Sequence, residues 1–120
     1  QMDIMQKLLL TAGGINVEDA LGRFMNNEML LERFLKKFLN DTTLPALQQA
    51  IAAKDIQAAL TASHTLKGMC GNLSMTTLFH LFTQQVTALR EDRFSDAADM
   101  MPDILAAVET ASDAIRGCWG

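Results

Sequence analysis

The sequence predicts an all-α fold, an antiparallel up-down four-helix bundle with one or two short extra N-terminal helices. Apolar residues make up 49% of the 120 positions and recur at helical i, i+3, i+4, i+7 spacing. Seven Gly and two Pro, with no Tyr, leave too little turn punctuation for an all-β chain. The length suits one core, so residues 1–120 are expected to form one domain. No repeat, low-complexity tract or Pro/Gly/Ser linker interrupts it.

The elements follow in order. An apolar segment runs to Leu10 and stops at Thr11-Ala12-Gly13-Gly14. Asn16, followed by Glu18 and Asp19, reads as an N-cap with an acidic first turn, opening a short helix over about 17–25. Asn27 caps the next helix, whose stripe is Leu31, Phe34, Leu35 and Phe38. The cluster Asn40-Asp41-Thr42-Thr43 either ends that helix or bends it, because Pro45 is tolerated only in a first turn or at a kink. Apolar spacing resumes at Leu44, Leu47 and Ile51. Asp55 is expected to cap a helix from Ile56 into the early seventies, and Ser74 one from about Met75 to Arg90 carrying Leu78, Phe82, Val86 and Leu89. Ser95 is expected to cap the last helix, with Met101, Leu105, Val108, Ala111 and Ile115 on its stripe and a kink at Pro102. Four main stripes joined by short turns are buried most simply in an up-down bundle.

Charge and cysteine usage exclude several classes. A net charge of −4, with no basic run longer than Lys36-Lys37, offers nothing to a phosphate backbone, so nucleic acid is not expected. Leu8-Leu9-Leu10 is too short for a signal-peptide core or a membrane span. Cys70 and Cys118 form no disulfide framework, so a reducing cytoplasm is the expected location and a monomer the expected state. Gln1 in place of an initiator Met suggests an artificial start, Met2 being the natural one for a free-standing protein.

Most chemical constellations are absent. There is no phosphate-binding G-x-x-x-x-G-K-[ST], no G-x-G-x-x-G, and no E-x-x-H, since Thr61 and Thr77 stand three residues before His64 and His80. Metal-ligand clusters and C-x-x-C-H are missing too. A noncovalent haem would need Met and His ligands, yet Met at helical spacing is ordinarily core filler.

The stretch Ser63-His64-Thr65-Leu66-Lys67-Gly68-Met69-Cys70-Gly71-Asn72-Leu73 remains. At about 100° per residue, Ala59, Leu66, Cys70 and Leu73 gather opposite His64, which places the imidazole in solvent and Cys70 in the core. Gly68 and Gly71 fall on nearly the same stripe as His64, and Lys67 on its flank. Glycine within a helix costs on the order of 1 kcal/mol relative to Ala, and close approach of a macromolecule to His64 is one reason to bear it. The alternative is that the helix ends there, with Gly68 or Gly71 as an αL residue and His64 and Lys67 favouring the C-terminal dipole. His80, without such a stripe, reads as an ordinary surface residue.

His64-Thr65-Leu66-Lys67-Gly68, followed by Gly71, Leu73 and Leu78, resembles the H-x-L-K-G signature of histidine-containing phosphotransfer (HPt) domains. The resemblance extends upstream through residues 14–21, Asn27-Glu28-Met29-Leu30, Phe38, Leu47 and Ala58-Ala59-Leu60, and so covers nearly the whole chain. Two positions depart from it. Ser74 stands ten residues after the histidine where the family often has Gly, and Val86 stands twenty-two after it where many members have a Gln or Glu that bonds the imidazole. Thr83, Gln84 or Gln85 would have to substitute.

The resemblance implies a phosphocarrier without autonomous catalysis. His64 would take a phosphoryl group from the aspartyl phosphate of a receiver domain, or from a hybrid histidine kinase, and pass it to a response-regulator Asp. A neutral imidazole has one ring nitrogen lone pair free for in-line attack. Lys67 would offset phosphoryl charge, Gly68 and Gly71 would admit the receiver's loops, and Gln85 would belong to the docking face. Leu60 is either an apolar docking contact or rim packing. No cofactor of its own is implied, Mg²⁺ arriving with the receiver. Two other classes compete: a helical adaptor that binds without phosphorylation, and a bundle carrying haem or metal.

Overall fold

Asp3 opens the first helix with a reciprocal cap. Its carboxylate accepts the Gln6 backbone N–H at 2.8 Å while the Gln6 side-chain oxygen accepts the Asp3 N–H at 2.9 Å, satisfying two donors that a helix start leaves open. The structure, a computed structural model, describes residues 2–120; Gln1 lies outside the described residues. They form α1 (Ile4–Ala12), α2 (Val17–Arg23), α3 (Glu28–Phe38), α4 (Thr43–Ala52), α5 (Ile56–Asn72), α6 (Thr76–Arg90), α7 (Phe94–Asp99) and α8 (Met101–Trp119). The all-α expectation holds, and α1 and α2 are the two short N-terminal additions.

Three-residue joints fold α4 back on α5 and α5 back on α6, so these neighbours run antiparallel. α6 lies beside α8, and α3 reaches α8 to close the ring. The first arm of the bundle is therefore in two pieces. The helix ends rather than bends at 39–42: α3 stops at Phe38, and Asp41 Oδ1 accepts the Thr43 N–H at 2.7 Å to start α4, with Pro45 in its first turn. Leu31, Leu35 and Leu47 are fully buried, each contributing roughly 1.5–3 kcal/mol, and they fix the arm to the core around Phe82, Ile104 and Ile115.

The caps at Asn16, Asn27 and Asp55 stand as read from the sequence, their side chains accepting from Asp19, Leu30 and Ala58 N–H groups. Several other expectations are corrected. Phe34 is not on the buried stripe of α3; it is 39% exposed, stacked on Phe24 at 5.4 Å with the Lys37 ammonium over its ring at 5.1 Å. Ser95 caps nothing: it lies inside α7, a separate short helix ahead of α8. Pro102 kinks nothing, since it sits in the first turn of α8, and Ile104 rather than Leu105 faces the core.

Ser74 is not the N-cap of α6. With φ +53° it is the left-handed residue that closes α5: the Met75 N–H bonds to the Cys70 carbonyl at 2.9 Å and the Ser74 N–H to the Gly71 carbonyl at 3.2 Å. Met25, Lys54 and Asp92 end α2, α4 and α6 in the same way, with φ of +56°, +55° and +59°. These joints carry no glycine, which is why the sequence marks them so weakly. Around Ser74 the chain also pairs with the α1–α2 link, Asn16 N–H to Ser74 carbonyl at 2.9 Å and Thr76 N–H to Gly14 carbonyl at 3.0 Å. The N-terminal helices are thereby fixed against the end of α5.

Candidate functional site

α5 continues unbroken past both glycines to Asn72, so neither Gly68 nor Gly71 is a helix terminator. Ala59, Leu66, Cys70 and Leu73 are buried and His64 is exposed on the opposite side, as helical phase requires. Burial, with a smaller push from the Asp41 charge, drives the Cys70 thiol up to about 12, which leaves it a packing residue rather than a nucleophile.

The two glycines differ. A Cβ added at Gly68 meets nothing within 4 Å, so this surface is open. At Gly71 the same atom would meet the Phe79 ring at 3.1 Å. Phe79 of α6 gives this glycine a packing reason within the fold, while Gly71 also lines the groove that holds His64.

Lys67 is half-buried on the flank of His64, and none of the ion pairs among the described residues includes it. Leu60, one turn before His64, is half-buried against the core. Gln85 is corrected: it is not on a docking face but fully buried. Its Oε1 accepts the Ser63 hydroxyl at 2.8 Å, and its Nε2 donates to the Ala97 carbonyl at 3.0 Å beside Met101 Sδ. Polar groups inside a core must find partners, and this one joins α5, α6 and α7 directly behind His64.

Among the described residues no side chain replaces the Gln or Glu that would bond the imidazole. Val86 is buried, Gln85 is committed to Ser63, the Thr83 hydroxyl donates to its own helix at Phe79 carbonyl (2.6 Å), and Gln84 is exposed. His80 is exposed, as read from the sequence, and shares a groove of about 410 Å³ with His64.

Asp19 and Arg23 of α2 line the same groove. Asp19 Oδ2 accepts both the Ser74 hydroxyl at 2.6 Å and Arg23 Nε at 3.0 Å. The Ser74 hydrogen bond first, then Arg23, hold its carboxyl below the usual carboxylate range. Sequence reasoning placed Ser63 beside His64 without its bond to Gln85, and missed Asp19, Arg23 and His80 as neighbours of the site. The i,i+4 spacing of Asp19 and Arg23 is visible in the sequence, but their placement beside α5 is not.

Among the described residues no group of three or more His, Cys, Asp or Glu is arranged to hold a metal ion. No described helix is long and apolar enough to cross a membrane.

Fold and site together define a helical module that presents the exposed His64 imidazole on the face of a bundle, with an open glycine and a lysine that forms no ion pair among the described residues beside it. The Hpt domain model matches residues 30–116, from α3 almost to the end of α8, and the chain belongs to that family. Hpt domains are histidine phosphotransfer modules of two-component phosphorelays, phosphocarriers rather than catalysts. Comparison with curated proteins and with solved structures finds no match.

Proposed function

We propose that His64 is the phosphoryl carrier: it takes the group from the aspartyl phosphate of a receiver domain, or from a hybrid histidine kinase, and gives it to the Asp of a response regulator. The observation that carries this reading is the exposed His64 on an unbroken helix, with Gly68 open one turn beyond it. In the transfer the imidazole lone pair attacks phosphorus, an N–P bond forms, the acyl P–O bond breaks and the Asp leaves as carboxylate. Such a step needs positioning and charge stabilisation more than covalent help from the protein.

Lys67 supplies charge. In no ion pair among the described residues, its ammonium is available to phosphoryl oxygens one turn from the ring. Gly68 removes the side chain that would hold a receiver's loops away, and Leu60 gives the rim of this face an apolar element. Mg²⁺ belongs to the receiver in this scheme. The N-terminal helices belong to the same module, a reading supported by Gln6 Nε2 donating to the Cys118 carbonyl at 3.1 Å and by the Asn16–Ser74 pairing. It acts in the cytoplasm as a monomer.

The test is transfer of label from a phosphorylated receiver domain to this protein and to its His64→Gln variant. Label on the unaltered protein alone, lost in acid as a phosphoramidate is, supports the assignment. Equal label on both proteins removes it. Unlabelled protein with a partner still bound at the His64 face would favour the adaptor reading.

A further inference from the structure

Arg23 is placed with unusual care for a surface residue. Ser74, the left-handed residue that ends α5, holds Asp19 through its hydroxyl, and the same Asp19 oxygen holds Arg23 Nε. This chain of bonds sets Arg23 in the lining of the groove that also holds His64, Lys67 and Gly68. Only Nε is engaged, so the two terminal amino groups, with four N–H donors, make no hydrogen bond or ion pair among the described residues, and the side chain is 51% exposed. In a chain of net charge −4, two cations thus line one groove with the exposed imidazole: Arg23, paired with Asp19, and Lys67, which forms no ion pair among the described residues.

We infer that Arg23 is a partner-recognition residue, its free guanidinium edge receiving a surface carboxylate of the protein that exchanges phosphoryl groups with His64. The inference rests on the function proposed above and adds its partner-selecting contact. A planar fork whose Nε is already fixed loses little freedom when its outer edge takes a carboxylate, and it discriminates by geometry as well as charge. The phosphoryl group itself is left to Lys67, on the helix that carries His64. Because the Arg23 contact forms as the partner docks, it acts on encounter rather than on bond exchange.

The experiment compares the full chain with Arg23→Gln and Arg23→Lys, each charged from a phosphorylated receiver domain over a range of receiver and salt concentrations. A parallel series uses phosphoramidate, a small donor with no protein surface. For Arg23→Gln a KM raised about 10-fold is expected, with the maximal rate unchanged and the salt dependence flattened. Arg23→Lys restores the salt dependence and part of the KM, and labelling by phosphoramidate stays at the level of the unaltered protein. Lys7→Gln, the same charge loss on α1, leaves transfer unaltered. An unchanged KM and salt dependence in Arg23→Gln, with the unaltered protein labelled normally, overturns this inference alone. So does an equal loss with phosphoramidate, which would move Arg23 to the reacting group. Absence of label on the unaltered protein with either donor overturns the His64 assignment and this inference with it.

Discussion

Ser63 Oγ donates to Gln85 Oε1 at 2.8 Å across the interface of α5 and α6, with both side chains fully buried one residue behind the exposed His64. A lone buried amide would be costly; here its oxygen takes Ser63 and its NH₂ takes the Ala97 carbonyl, so the pair sets the rotation of α5 relative to α6 and α7. That rotation decides where His64 points. Ser63→Ala leaves the Gln85 oxygen without its donor and is expected to cost about 1–3 kcal/mol by denaturant unfolding. Gln85→Leu in the Ser63→Ala background is expected to recover part of this, because both partners of that bond are then gone and the Ala97 carbonyl keeps the Met100 N–H at 3.3 Å. No loss in the single variant would show that the hydrogen bond does not hold the helices.

Gly68 and Gly71 are expected to respond differently to alanine. Nothing meets a Cβ at Gly68, so Gly68→Ala gains helix propensity of about 1 kcal/mol. At Gly71 the Phe79 ring stands 3.1 Å from the new atom and must shift, so Gly71→Ala gains less or loses stability. Thermal melting of the two variants checks the contrast. Gly68→Gln is expected to melt no lower than the unaltered protein yet to accept label more slowly, and normal transfer would remove the docking role of that open surface.

Lys67→Ala is expected to slow phosphoryl transfer to His64 by about 10-fold while changing stability little, since no ion pair is lost with the ammonium. Stopped transfer series and a melting curve on the same sample separate the two effects. A destabilised variant with a normal transfer rate would make Lys67 a packing residue.

Asp19 gives the fold a pH dependence of known sign. Its carboxyl is held below the usual range by the Ser74 hydroxyl and then by Arg23, so it binds a proton less readily folded than unfolded. The stability this contributes is complete above the unfolded value near 3.9 and is lost as pH falls below it through the lower folded value. Asp19→Asn should therefore be less stable than the unaltered protein near neutrality, with the gap closing below about pH 3.9. A gap that stays constant down to pH 2 on the unfolding curve would contradict the assignment.

Much of this protein is legible one residue at a time because helical phase and capping are local. Asn16, Asn27 and Asp55 cap where they stand, and Ala59, Leu66, Cys70 and Leu73 turn inward because the period of 3.6 puts them there, which by itself leaves His64, Lys67 and Gly68 outside. The joints are less legible: Met25, Lys54, Ser74 and Asp92 adopt left-handed backbone without glycine, a conformation tertiary packing selects against a local cost of about 1–2 kcal/mol. Ser74 thus looks like a cap for the helix that follows and is the end of the helix that precedes.

What only the tertiary structure decided are the contacts between elements distant in sequence. Gln85 is polar and lies on a helix expected to face the partner, yet it is buried because Ser63, 22 residues away, gives it a partner. Gly71 packs against Phe79 of α6, a contact helical phase does not show, and the Ser74 hydroxyl, 55 residues from Asp19, holds α2 and with it Arg23 at the His64 groove. The sequence determined which residues turn outward on each helix, since that follows from a fixed rotation per residue. Which outward faces meet depends on how helices dock, and no local period encodes it.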